Sequence, residues 1–174
     1  MHKIILFRGG MCGDLVLSMI SKEYIRSIYP LKPVRHRTNM KKYYEYSNAE
    51  KKEYLDKMDG YTLSHDTEFC RHIDQKQVIQ IFCSNDEILP TLADRFWEKN
   101  TKDGVEHVKK DLNLNKNYTL LDDFKKWQDF HKFRYRFDIK NVYNEDFVSD
   151  VEKAFDLEDT AWARTIHRLW LKEQ

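Results

Sequence analysis

The residues best suited to chemistry stand at the start of the chain, in Arg8-Gly9-Gly10-Met11-Cys12-Gly13-Asp14. An apolar run, Ile4-Ile5-Leu6-Phe7, precedes them, and an apolar helical pattern follows. A strand, a glycine-rich turn and a helix start form an anion-binding device: backbone N–H groups converge there, and the helix end carries partial positive charge. Arg8 adds a cation. Gly9, Gly10 and Gly13 let the backbone approach a phosphate closely. The loop is not a nucleoside-triphosphate P-loop, since no Lys-Ser/Thr pair follows Gly13. A competing reading makes Asp14 the N-cap of the helix, its carboxylate taking up the same N–H groups. Cys12 sits at the helix start, where a thiolate is stabilised, although small packed cysteines are common. His65, in Ser64-His65-Asp66, offers an imidazole whose pKa suits a general base at neutral pH.

These groups need elements to hold them. Residues 3–8 read as a buried strand, and residues 14–29 as a helix with Val16, Ile20 and Tyr24 on one face, ended by Pro30. Residues 49–58 read as a charged helix, Tyr61–Ser64 as a short strand, 67–76 as loop, and 77–83 as a β-branched strand. Asn85-Asp86 supplies a turn before a helix through about residue 99, with Leu89, Leu92 and Phe96 inward and Pro90 in its first turn. Thr119 caps a helix bearing Leu120, Phe124 and Trp127. Residues 134–139 alternate as a strand. Asn144 caps a helix with Phe147, Val151, Ala154 and Phe155 inward, and a last helix from Asp159 or Thr160 carries Trp162, Ile166, Leu169 and Trp170. Strands and helices alternate throughout, the pattern of an α/β sandwich with a mostly parallel sheet. On such sheets, ligands bind beyond the carboxyl ends of the strands, so the loops after residues 8, 64 and 83 should share one rim.

The length of 174 residues fits a single α/β domain, 1–174, with a sizeable core. Thirty basic and 29 acidic residues nearly cancel, so bulk charge gives no reason to expect a nucleic-acid or membrane partner. No apolar run reaches the length of a membrane span and no leader precedes the first strand. Cys12, Cys70 and Cys83 form no zinc or disulfide spacing and suit a reducing, cytoplasmic setting. Nor do His72, His107, His131 and His167 stand at ligand spacing. Residues 32–46 are basic and tyrosine-rich, which reads as a solvated loop, as a surface for a protein partner or, more weakly, as a nucleic-acid patch.

Three segments together resemble the sulfotransferase family, which uses 3′-phosphoadenosine 5′-phosphosulfate. Phe7–Asp14 is similar to its phosphosulfate loop. Tyr61-Thr62-Leu63-Ser64-His65 is similar to its strand ending in Thr-His. Lys76–Thr91, which includes Val78-Ile79-Gln80-Ile81-Phe82-Cys83, is similar to its strand, turn and helix for the 3′-phosphate. Phe137–Leu157 adds a weaker likeness. The resemblance implies a P-loop-like three-layer fold. It implies a phosphosulfate nucleotide bound by Gly9, Gly10, Met11, Cys12, Gly13 and Asp14, with Thr91 at its 3′-phosphate. Arg8 would stabilise the transferring sulfuryl group and His65 would deprotonate a small-molecule or carbohydrate hydroxyl acceptor. The chain departs from the family at Cys83, where an arginine is usual, and at Gly13-Asp14, where a hydroxyl residue is usual. The family's closing Arg-Lys-Gly loop has no counterpart. These departures motivate an alternative: a catalytically degenerate relative that binds another protein.

Overall fold

The computed structural model describes residues 3–8, 10–21, 47–56, 60–65, 67–92, 120–158 and 160–172. The basic stretch 32–46 lies outside them, as do Gly9 and residues 93–119.

The protein is α/β, and its described residues form a four-stranded sheet in the order β2-β1-β3-β4, all pairs parallel. The strands are β1 (Lys3–Leu6), β2 (Tyr61–Ser64), β3 (Val78–Phe82) and β4 (Tyr135–Asp138). In β1, Ile4, Ile5 and Leu6 are each 0% exposed. Successive strand residues point to opposite faces, so both faces of the central strand are covered. Burying one such side chain stabilises by about 1.5–3 kcal/mol, and truncating Ile5 to Ala would cost about 2–5 kcal/mol. The register pairs Ile5 with Leu63 on one side and with Ile79 on the other, which makes this the centre of the core.

Among the described residues the helices are α1 (Gly13–Ile20), α2 (Asn48–Asp56), α3 (Thr67–Arg71), α4 (Leu120–Phe130), α5 (Asp146–Phe155) and α6 (Thr160–Lys172). Helices α1, α5 and α6 pack against one another, and Trp162 ties α6 to α1 by donating its Nε1–H to the Ser18 carbonyl at 3.1 Å. The Phe147 and His167 rings pack at a tilt, 5.3 Å apart between centroids, and the His167 ring shares a hydrogen bond with the Val142 carbonyl at 2.7 Å.

Several boundaries differ from the sequence reading. Helix α1 ends at Ile20 rather than running to Pro30, because Ser21 turns into extended backbone (φ −130°, ψ 107°). The stretch 67–76 is not plain loop: α3 buries Phe69 and Cys70, and a 3-10 turn (Gln75–Gln77) leads into β3. The helix after Asn85 becomes regular only at residue 89. The cap of α5 is Glu145, not Asn144, and Ala154 is exposed, because Phe147, Val148 and Val151 form the buried face. In α6 Leu169 is 40% exposed, and Ala163, Ile166, His167 and Trp170 line the inner face instead. Helix α2 starts with a capping box: Glu50 accepts from the Ser47 N–H at 2.8 Å and from its hydroxyl at 2.7 Å.

Candidate functional site at the carboxyl rim

The strand order dictates where a cleft opens. The chain leaves β1 for β2 on one side and leaves β3 for β4 on the other. The carboxyl ends of β1 and β3 are therefore the switch point, where connections diverge and leave room for a ligand.

The loop after β1 is tightly wound there. Phe7 donates its N–H to the Ser64 carbonyl at 3.1 Å, which holds the ends of β1 and β2 together. The Met11 N–H closes a turn onto the Arg8 carbonyl at 3.0 Å, with Gly10 at φ 90°. Cys12 is the N-cap of α1, in the left-handed region at φ 55°, which is costly for a residue with a Cβ. Its side chain makes no cap hydrogen bond. Asp14 lies one step inside the first turn, so the reading of Asp14 as N-cap does not hold. Helix geometry leaves first-turn N–H groups without carbonyl partners inside the helix, which gives this end its pull on anions. Met11 is fully buried. Gly13 is there for packing: a Cβ would lie 2.4–2.6 Å from atoms of the Phe7 ring.

That packed Phe7 supports His65. The two rings lie 4.2 Å apart between centroids, and His65 Nδ1 is 2.7 Å from the Phe7 carbonyl oxygen. A carbonyl only accepts, so Nδ1 carries the proton, and Nε2 of the neutral ring is the basic nitrogen. His65 as a residue is exposed. The surrounding protein lowers the His65 pKa by desolvation; the Phe7 hydrogen bond and the Asp14 charge oppose this, and the Arg8 charge adds to it. Arg8, Asp14 and His65 thus stand within electrostatic reach of one another.

The β3 side is different. Cys83 is buried, and desolvation pushes its thiol up to about 11. Gln128 of α4 clamps its backbone, accepting from the Cys83 N–H at 3.1 Å and donating to its carbonyl at 3.0 Å. Ser84 hydrogen-bonds Asp138 at the end of β4 through both its hydroxyl and its N–H. Thr91 is exposed on the helical residues 89–92, whose Leu89 and Leu92 face the core.

The structure adds residues that the sequence did not suggest. Arg71, at the end of α3, places Nη2 2.7 Å from Nδ1 of His131, just past α4, and its guanidinium lies over the Phe130 ring at 5.5 Å. Desolvation lowers the His131 pKa, and the charges of Arg71 and Arg8 lower it further. Sixty residues separate Arg71 from His131 in the chain, and no spacing rule joins them. Among the described residues no group of three or more His, Cys, Asp or Glu side chains is arranged to hold a metal ion, and no helix is long and apolar enough to cross a membrane.

Comparison with protein-family models, with curated proteins and with solved structures finds no match.

Proposed function

We propose that the chain is a small sulfotransferase-like enzyme with a P-loop-like fold. It would move a sulfuryl group from a phosphosulfate nucleotide to the hydroxyl of a small molecule or carbohydrate. The observation that carries this reading is the His65–Phe7 hydrogen bond, which leaves a neutral imidazole with basic Nε2 at the carboxyl rim. Arg8 and the start of α1 belong to the same rim, so a cation and a helix N-terminus accompany the base.

The residues fit the two ends of the nucleotide unequally. At the phosphosulfate end, Arg8, the turn at Gly10 and the first turn of α1 suit an anion, and the approach needs no side chain at Gly10. At the 3′-phosphate end, the buried and protonated Cys83 cannot pair with a phosphate, and its backbone is already engaged by Gln128. Thr91, exposed one turn further on, is the remaining group there. Binding should therefore rest mainly on the 5′ end.

In this mechanism the acceptor hydroxyl lies against His65 Nε2, which takes its proton as the oxygen attacks. Arg8 and the first turn of α1 face the negative charge that builds on the transferring group and on the departing phosphate. Phe7 fixes the imidazole from below and its carbonyl fixes the tautomer. The test is isothermal calorimetry with 3′-phosphoadenosine 5′-phosphate, alongside a thermal shift. Binding that weakens at least tenfold in Arg8→Ala supports the reading; no heat and no shift at millimolar ligand refutes it.

A further inference from the structure

The contact between Arg71 and His131 fixes the position of a proton. Nδ1 of His131 lies 2.7 Å from Arg71 Nη2, and a guanidinium only donates, so Nδ1 is the accepting nitrogen and Nε2 bears the hydrogen. Arg71 is the last residue of α3, and His131 directly follows α4. A side-chain hydrogen bond thus joins two elements, and it exists only while the imidazole is neutral. A proton arriving at Nδ1 would leave two donors, both positively charged, facing each other.

We propose that Arg71 and His131 form an acid-released tie between α3 and the end of α4. This tie is independent of the transfer reading above: it needs no ligand and no group at the carboxyl rim.

One side of the tie is anchored. His131 donates its backbone N–H to the Trp127 carbonyl at 3.0 Å, and two residues further on the Phe133 N–H is held by Oε1 of the buried Gln80 at 3.2 Å. The His131 ring stands edge-on to Phe130 at 4.8 Å and tilted to Trp127 at 5.9 Å. The imidazole therefore stays in place when the bond breaks. The other side can leave. Arg71 Nη1 already lies 3.6 Å from Glu68, and the Arg71 side chain is 42% exposed. Helix α3 has only five residues, with Phe69 and Cys70 buried, and Gln75 Nε2 donates to the Cys70 carbonyl at 3.1 Å. So short a helix gains little from its own hydrogen bonds, which makes a side-chain tie at its end count.

The groups around His131 set the direction of the response. Helix α3 contributes Arg71 and Glu68, the loop after β1 contributes the charge of Arg8, and α4 presents the Trp127 and Phe130 rings. Desolvation lowers the His131 pKa most, the two arginines lower it further, and Glu68 opposes them. The unfolded chain therefore takes up the proton first, near the ordinary value of about 6.5. The stability that the tie supplies is fully present above that pH and is lost as pH falls through the lower folded pKa. His72 acts in the opposite sense: once protonated, it strengthens its 3.1 Å pairing with Glu68 within the same segment. The sign of the change in α3 therefore identifies the group that causes it.

The test combines ¹⁵N spectra of the histidine rings with amide-exchange protection factors, on the full chain, from about pH 7.5 to about pH 5. The expected result has Nδ1 as the unprotonated nitrogen of His131 at the upper pH. Protection at Arg71 and His72 should then fall about threefold as His131 titrates, the worth of one partly exposed hydrogen bond. Arg71→Met should lower that protection at neutral pH, remove its dependence on His131 and raise the His131 pKa, since a repelling cation is gone. His131→Asn keeps a carbonyl oxygen near the place of Nδ1 and takes up no proton, so its α3 should stay protected down to about pH 5. Three results would each overturn the proposal: a proton on Nδ1 at about pH 7.5, protection in α3 that does not follow the His131 titration, or a His131→Asn chain that loosens in acid as wild type does.

Discussion

Replacing Gly13 with Ala tests the packing that holds the site. Gly13 is the first residue of α1, with a helical backbone, so an added methyl meets no strain from φ. It meets the Phe7 ring instead, with Cγ at 2.4 Å, Cδ1 at 2.5 Å and Cδ2 at 2.6 Å. Flipping the ring about χ2 leaves Cγ in place, so Phe7 must change χ1 or α1 must lift. Phe7 is 4% exposed and its N–H is tied to Ser64, so neither response is easy. Overpacking of this kind costs about 1–3 kcal/mol, offset by up to about 1 kcal/mol from the better helix propensity of Ala. The net loss should be about 1–2 kcal/mol, which for a chain of this size lowers Tm by about 2–8 °C. Because Phe7 carries His65, the His65 pKa should also move back toward its ordinary value as the ring loosens. The assay pairs thermal unfolding by circular dichroism with a proton NMR titration of His65. A Phe7→Leu background should relieve part of the penalty, giving a coupling above 0.5 kcal/mol. A Tm equal to or above wild type, with His65 titrating unchanged, would refute the argument that Gly13 makes room for Phe7.

Three further outcomes follow from the same geometry. The His65 pKa is depressed by desolvation, so its neutral form persists below pH 6.5; the acid limb of any transfer rate should fall with a midpoint under 6.5, and a midpoint at or above 7 would contradict this. His167 is 2% exposed and its pKa is also lowered by burial, so the unfolded chain binds the proton first. Stability should therefore decline as pH drops below about 6.5, and a urea series in His167→Gln should show a shallower decline than wild type. Gln128→Ala strands the N–H and carbonyl of Cys83; it should cost about 1–3 kcal/mol and speed alkylation of Cys83, which in the native protein is slow because its thiol is held near 11.

Legibility in the sequence followed the range of the interactions. β1 and β3 could be read because buried parallel strands favour apolar, β-branched runs; Ile4-Ile5-Leu6 supplies one, and Val78–Phe82 supplies another broken only by Gln80. α4 and α6 could be read from their periodicity. Helix α3 could not: at five residues it is barely more than one turn, and Phe69 and Cys70 are adjacent rather than periodic. The early end of α1 was hidden because Pro30 offered a plausible stop, whereas Ser21 carries no local signal for extended backbone. At the site, the rim loops followed from the α/β alternation, and His65 stood out as a candidate base because an imidazole follows a short strand there. Its tautomer was not legible, because that depends on a carbonyl 58 residues away. Gly13 invited a phosphate reading, since a sequence does not reveal whether the space beside a glycine is filled by ligand or by Phe7. The Arg71–His131 and Gln128–Cys83 pairs join residues 60 and 45 positions apart, which only the tertiary fold brings together.

The central claim is that the β1 and β2 ends form one anion-binding, base-bearing rim. The direct measurement is a ¹⁵N–¹H amide titration of the whole chain with 3′-phosphoadenosine 5′-phosphate. The account predicts the largest shifts at residues 10–15 and at Ser64 and His65, with smaller ones at Cys83–Asn85. Shifts centred away from that rim, or none at millimolar ligand, would contradict it.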